Sequence, residues 1–106
     1  MNESPEPRER RHPNDWDLYT PLTQEVMDLL VRMRHELGSW REVAYVAGKR
    51  TREIRRIYRV EVKVVSLSMM DRLCQGSGVG HISEFRWYTA KEIVAMGIWT
   101  HELEES

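Results

Sequence analysis

Cysteine and long apolar runs are both nearly absent from this chain of 106 residues. The single cysteine, Cys74, excludes an intramolecular disulfide and favours a reducing compartment. No apolar stretch approaches the roughly 20 residues that a membrane-spanning helix requires, and the charged first residues do not resemble a signal peptide. The composition, 41% hydrophobic and 31% charged, is typical of a globular chain. We therefore expect a cytoplasmic protein with one domain, tails and no membrane partner.

Signals of catalysis and of metal binding are also scarce. Four histidines are spread along the chain, at His12, His35, His81 and His101. They show no metal-ligand spacing with one another or with Cys74. No phosphate-binding loop, nucleophile elbow or cluster of carboxylates is present, and Asp71 and Glu84 stand alone. The sequence therefore predicts a non-enzymatic protein without cofactor or metal, and it argues against a small nuclease or a recombinase accessory subunit.

Charge is distributed unevenly, although the formal net charge is only −1. Between Lys49 and Lys63 the chain has seven basic residues and two acidic ones, a local net charge of +5. The acidic residues that balance this segment gather largely toward the two ends, at Glu3, Glu6, Glu9, Glu102, Glu104 and Glu105. Such segregation creates a strong local positive potential, which is typical of proteins that bind nucleic acids.

Composition and apolar periodicity divide the chain into four parts. These are an N-terminal tail (1–15), a helix-turn-helix domain (16–80), an aromatic segment with a helix (81–100) and an acidic tail (101–106). The first part contains three of the four prolines and no apolar periodicity, so a disordered tail is predicted. A basic arm that contacts DNA through Arg8, Arg10 and Arg11 is the alternative for this part.

The domain is predicted to begin with a long helix over residues 21–37. Thr20 is its expected N-cap, and Pro21 occupies the first helical position. Apolar residues recur at helical spacing, at Val26, Leu29, Leu30, Met33 and Leu37. Arg34 is expected to face solvent, and Gly38 ends the helix.

A short β segment and a fourth helix are predicted after residue 59. Valines alternate with charged residues from Val60 to Val65, and residues 81–88 are the expected pairing partner. Ser66 is the expected N-cap of a helix that runs to about Gln75 and is terminated from Gly76 onward.

The last predicted helix starts near Ala90. Thr89 and Glu92 form a capping box there, which is a common start signal of helices. The helix either completes the core or makes a homodimer, with Ile98 and Trp99 as the expected contact residues.

The segment from Ser39 to Arg59 predicts a helix-turn-helix that begins at the N-cap Ser39. Ala44 lets two helices approach closely, and Gly48 provides the positive φ of the turn. Ile54 and Ile57 share the inner face of the second helix of the pair. Its remaining arc carries the arginines Arg52, Arg55, Arg56 and Arg59. The ordinary interpretation of such an arc is a charged face exposed to solvent. The arc contains arginine and no lysine, however, and arginine is the residue suited to bidentate guanine and phosphate contacts. The pattern therefore favours DNA binding.

With these features, residues 21–80 resemble the lambda-repressor-like (Cro/XRE) helix-turn-helix family. The resemblance implies a mainly α fold, a five-helix bundle, and leaves room for a short two-stranded β element. It implies base contacts from the third helix, at Thr51, Arg52, Arg55 and Arg56. Phosphate contacts are expected at the start of the second helix, in the turn and at the end of the third helix, from Ser39, Trp40, Lys49, Arg50 and Arg59.

We therefore expect a sequence-specific regulator of transcription, a bacterial or phage repressor, that inserts helix 51–59 into the major groove of double-stranded DNA. A homodimer formed through the C-terminal helix would bind two half-sites about 34 Å apart. The alternative is a protein-interaction module, such as an antitoxin or anti-repressor, whose basic helix binds an acidic protein.

Overall fold

The computed structural model describes residues 17–98 of the chain. Within this range five α-helices and two short strands follow one another: β1 Tyr19–Pro21, α1 Gln24–Leu37, α2 Trp40–Ala47, α3 Thr51–Tyr58, β2 Val64–Ser66, α4 Leu67–Ser77 and α5 Ala90–Ala95. A 3-10 helix, Ile82–Glu84, lies between α4 and α5. The fold is mainly helical with a short antiparallel sheet, which confirms the predicted fold class.

Helix α1 begins later than the sequence predicts. Its N-cap is Thr23, whose side chain accepts a hydrogen bond from the backbone N–H of Val26. Thr20 and Pro21 belong to β1, so their assignment as cap and first helical residue is wrong. Threonine is a common N-cap residue, so Thr20 and Thr23 are both candidates by residue type. Thr23 is the N-cap because Thr20 belongs to β1, which pairs with a distant segment.

The sheet joins three distant parts of the chain. β1 pairs antiparallel with β2, with Tyr19 opposite Ser66. On its other side Tyr19 exchanges two backbone hydrogen bonds with Tyr88, at N–O distances of 2.7 and 2.8 Å. The predicted pairing of the valine-rich segment with residues 81–88 is therefore wrong, because β1 lies between them.

The buried side chains form two clusters. The larger one joins α1 to α4, and its fully buried members include Leu30, Met33, Ile54, Met70 and Leu73. The smaller one consists of Tyr19, Val64 and Ile93, with Tyr88 and Ile98 packed against it. Helix α5 thus contributes Ile93 to the interior, on the sheet side of the molecule. Trp99 and the segments 1–16 and 99–106 lie outside the described residues, so the tails and the homodimer stay predictions.

Helix α4 passes very close to α2 at Gly76. A Cβ atom added to Gly76 would lie 2.4 Å from Cγ1 of Val46, so any larger residue requires the Val46 side chain to shift. The sequence predicts that Gly76, Ser77 and Gly78 terminate the helix. The helix continues through Gly76 to Ser77, and Gly78 caps it at φ 72°. Cys74 is buried in this helix. Burial raises the pKa of its thiol, and the negative charges of the Glu84 and Asp71 carboxylates raise that pKa further.

Helices α2 and α3 end in the same hydrogen-bonded turn, a Schellman motif, but with different residues at its left-handed position. In α2 this position is Gly48 at φ 70°, and Lys49 N–H donates to the Ala44 carbonyl at 2.9 Å. In α3 it is Val60 at φ 58°, and the next N–H donates to the Arg56 carbonyl at 2.8 Å. A β-branched residue is strained there, by about 1–2 kcal/mol. Val60 is also 61% exposed, so little packing compensates for this strain.

We predict that Val60→Gly raises the free energy of unfolding by about 1 kcal/mol, because glycine removes the strain at this position at a smaller entropic cost. The matched control is Val31→Gly, another exposed valine that lies inside α1. That control should destabilise the protein by roughly 0.5 kcal/mol, since glycine is a poor helix residue. Urea denaturation of the three proteins measures both effects, and equal losses of stability would contradict the proposed strain.

Candidate nucleic-acid interface

Helices α2 and α3 form a pair joined by the three residues 48–50. The side-chain Oγ of Ser39 accepts a hydrogen bond from the Glu42 N–H at 3.2 Å, which confirms the predicted N-cap. Ala44, at 3% exposure, is buried where the two helices pack together with Ile54 and Ile57. The sequence spacing and the observed packing therefore agree across this pair.

The outer arc of α3 is accessible to solvent along its whole length. Four arginines are exposed on it, Arg52, Arg55, Arg56 and Arg59. Arg52 and Arg59 are seven residues apart, two helical turns, and therefore lie one above the other, opposite the buried isoleucines. Arg55 flanks them on the side of Tyr58, and Arg56 flanks them on the side of Glu53. Thr51 is half-exposed at the start of the helix.

The two acidic residues near this arc have separate roles. The Glu53 carboxylate accepts a hydrogen bond from the backbone N–H of Arg50 at 2.8 Å, so it caps the first turn of α3. Glu61 pairs with Arg56, with Oε1 3.7 Å from Nε, and both side chains are exposed. The turn at Val60 brings Glu61 back to Arg56, which the linear sequence does not indicate. An exposed pair contributes only about 0.2–1 kcal/mol, so Arg56 can exchange Glu61 for another anion at little cost.

Trp40 connects all three helices around the arc. Its ring meets Tyr58 of α3 edge to face, with centroids 4.4 Å apart and planes at 79°. The guanidinium carbon of Arg34 on α1 lies 4.3 Å from the centroid of the same ring. The Tyr58 hydroxyl then donates a hydrogen bond to the Leu30 carbonyl of α1. Trp40 is therefore a packing residue, and its expected phosphate contact stays a prediction.

Arg34 is half-buried against Trp40, so its predicted solvent-facing position is wrong. Its Nε is buried and has no hydrogen-bond partner among residues 17–98. The attraction between the guanidinium and the electron-rich face of the ring compensates in part for the lost hydration. Because Trp40 comes from a different helix, the periodicity of α1 alone could not reveal this contact.

Five of the nine predicted contact residues line one of two pockets on either side of α3. Trp40, Arg55 and Arg59 line a cleft of about 300 Å³ together with Tyr58. Lys49 and Arg56 line a second pocket on the other side of α3. Arg50 is exposed in the turn, and Ser39 is half-exposed at the start of α2. Basic side chains therefore lie on both flanks of α3.

Burial raises the pKa of Tyr58, and the positive charge of Arg34 opposes this shift only in part. A pKa that is higher in the folded protein contributes stability below the ordinary pKa, which is 10.0 for tyrosine. This stability is lost as the pH rises through the folded-state pKa, because only the unfolded chain releases the proton easily.

We predict that Tyr58→Phe destabilises the protein by about 0.5–1.5 kcal/mol at neutral pH, because the hydrogen bond to the Leu30 carbonyl is lost. Above about pH 10 the difference from wild type should shrink, since the variant has no phenol to ionise at this site. Urea denaturation at a series of pH values measures this. Tyr45→Phe, a change at a side chain that is 82% exposed, is the matched control and should keep the alkaline loss of the wild type.

Comparison of the chain with protein-family models, with curated proteins and with solved structures gave no match. Among residues 17–98, no three histidine, cysteine, aspartate or glutamate side chains gather into a cluster able to hold a metal ion. No helix in the same range has the length and apolar character needed to cross a membrane. The candidate site is the arc of exposed arginines on α3 with its two flanks.

Proposed function

We propose that this chain is a sequence-specific regulator of transcription that binds double-stranded DNA with α3 in the major groove. The observation that supports this function is the arc of four exposed arginines on a helix held in place by buried Ile54, Ile57 and the Tyr58–Trp40 contact. An α-helix with its side chains is about 10–12 Å wide, which matches the roughly 12 Å width of the major groove.

The positions on the arc suggest a role for each residue. Arg52, at the centre, reads guanine through its O6 and N7 atoms, a pairing worth about 1–3 kcal/mol against a wrong base. Thr51, Arg55 and Arg56 reach neighbouring base pairs. Phosphates bind on the two flanks, at Ser39, Trp40, Lys49, Arg50 and Arg59, and these contacts orient the protein without reading sequence.

Occupation of a promoter is sufficient for repression and needs no chemistry on DNA. A module of this size covers little DNA, so tight binding favours a homodimer on two half-sites about 34 Å apart. Such a protein functions where DNA is accessible, in the cytoplasm of a bacterial cell or of a phage-infected host.

An acidic protein partner is the second candidate, because the pair between Arg56 and Glu61 shows that this arc already accommodates a carboxylate. An antitoxin or anti-repressor would use the same helix in this way. If this candidate is right, Arg56→Glu should abolish a protein complex detected by pull-down and leave any affinity for DNA unchanged. Loss of DNA affinity in the same variant favours the DNA-binding function instead.

We predict that the protein binds mixed-sequence duplex DNA with an affinity that falls steeply with salt concentration. The variant Lys49→Ala/Arg59→Ala should bind more weakly, with a slope of log K against log salt that is smaller by about 1–2, because two expected phosphate contacts are lost and fewer counterions are released. Fluorescence anisotropy across a salt series measures both quantities.

The matched control is Arg32→Ala/Arg86→Ala, which removes the same charge from two exposed residues outside the helix pair. This control should keep the wild-type slope. Equal losses in both variants would show a general charge effect, and absence of binding at low salt would exclude the proposed function. Selection from a random duplex pool then identifies the operator.

A further inference from the structure

The turn between α2 and α3 is covered by a side chain from α4. Nη1 of Arg72 donates a hydrogen bond to the carbonyl oxygen of Ala47, the last residue of α2, at 3.5 Å. A Cβ atom at Gly48 would collide with the same Nη1, so the guanidinium lies directly over the turn. The carbonyl end of a helix has unpaired acceptors and partial negative charge, which attract a guanidinium. Glycine at position 48 therefore provides both the positive φ of the turn and the space for Arg72.

Most of the hydrogen-bonding capacity of Arg72 is available to a ligand. A guanidinium has five N–H donors, and the bond to Ala47 uses one of them. The side chain is exposed to solvent. The one ion pair among residues 17–98 joins Arg56 to Glu61, so no carboxylate in this range is paired with Arg72. Arg72 can therefore bind an anion without giving up an existing ion pair.

Arg72 extends the basic surface of the helix pair beyond α3. Its guanidinium lies beside the turn that contains Lys49 and Arg50, and Arg52 follows in the first turn of α3. All four basic side chains are exposed. Glu53 keeps its negative charge, so four positive charges and one negative charge give this surface a net charge of +3.

Two aspartates lie near Arg72, and the surface stays positive when they are considered. Asp71 projects from a different face of α4, where its carboxylate accepts a hydrogen bond from Gln75. Asp17 is bound to Ser68, one helical turn before Arg72, and therefore lies near the same face. Counting Asp17 lowers the net charge of the surface to +2.

In the proposed complex this surface lies within reach of the DNA backbone. Gly48 precedes Thr51 by three residues, so their Cα atoms are at most about 11 Å apart. The major groove is roughly 12 Å wide and 8.5 Å deep. When Thr51 contacts base edges, a phosphate at the edge of the groove is therefore within reach of a side chain at the turn.

We propose that Arg72 binds a backbone phosphate of the DNA beside this turn, as a contact that α4 adds to those of the helix pair. The Ala47 carbonyl orients the guanidinium, and its remaining N–H groups bind the phosphate oxygens. This inference depends on the proposed DNA-binding function. The sequence alone does not indicate the contact, because Arg72 follows the turn by more than twenty residues and meets it only in the folded protein.

Fluorescence anisotropy with mixed-sequence duplex DNA across a salt series tests this contact in the variants Arg72→Gln and Arg72→Lys. Glutamine keeps an N–H donor but removes the charge, whereas lysine keeps the charge. The slope of log K against log salt should be smaller by about 1 in Arg72→Gln, because one phosphate contact is lost. Arg72→Lys should keep the wild-type slope.

The matched control is Arg86→Gln, which removes the same charge from an exposed residue outside the helix pair. An equal decrease of the slope in this control, or in Arg72→Lys, would refute a phosphate contact at Arg72. A wild-type slope in Arg72→Gln would also refute it and leave the proposed function intact. Lower stability of this variant in urea would then show that Arg72 only supports the turn. Absence of DNA binding by the wild type at low salt would exclude both the contact and the proposed function.

Discussion

The C-terminal half of α3 is held in place by the contacts of one aromatic ring. Trp40 opens α2, touches Arg34 of α1 on its face and meets Tyr58 of α3 at its edge. Tyr58 in turn donates a hydrogen bond to the Leu30 carbonyl of α1. These contacts fix the C-terminal half of α3, while Ile54 fixes its N-terminal half in the core. A helix held at both ends can present its arginines in a constant arrangement, which specific recognition requires.

The sequence predicts those elements of the fold whose signals are local. Ser39, Ser66 and Thr89 each cap a helix by accepting an N–H three residues ahead, as expected from their type and spacing. The start of α1 is missed because Thr20 and Thr23 are both plausible caps at the residue level. The short β element is predicted but its partner is not, since strands of three residues carry too little pattern to show which distant segment they pair with.

The candidate site shows the same limit. Helical periodicity is sufficient to separate the buried isoleucines of α3 from its arginines, so the arc itself is predicted from sequence. The partners of Arg34 and Arg56 are not predicted from sequence. Arg34 contacts Trp40, which belongs to another helix, and Glu61 reaches Arg56 only because the chain turns at Val60. Contacts across elements require the tertiary structure, and here they decide which arginine is packed and which is exposed.

The close approach of α4 to α2 limits how this protein can evolve. Gly76 faces Val46 without space for a side chain, and α2 ends immediately afterwards at Gly48, before the basic residues of the turn. A larger residue at position 76 has to push aside the Val46 side chain, which belongs to the last turn of α2. A substitution in the supporting helix α4 can thus alter the position at which α3 begins, although Gly76 itself carries neither a charge nor a functional group.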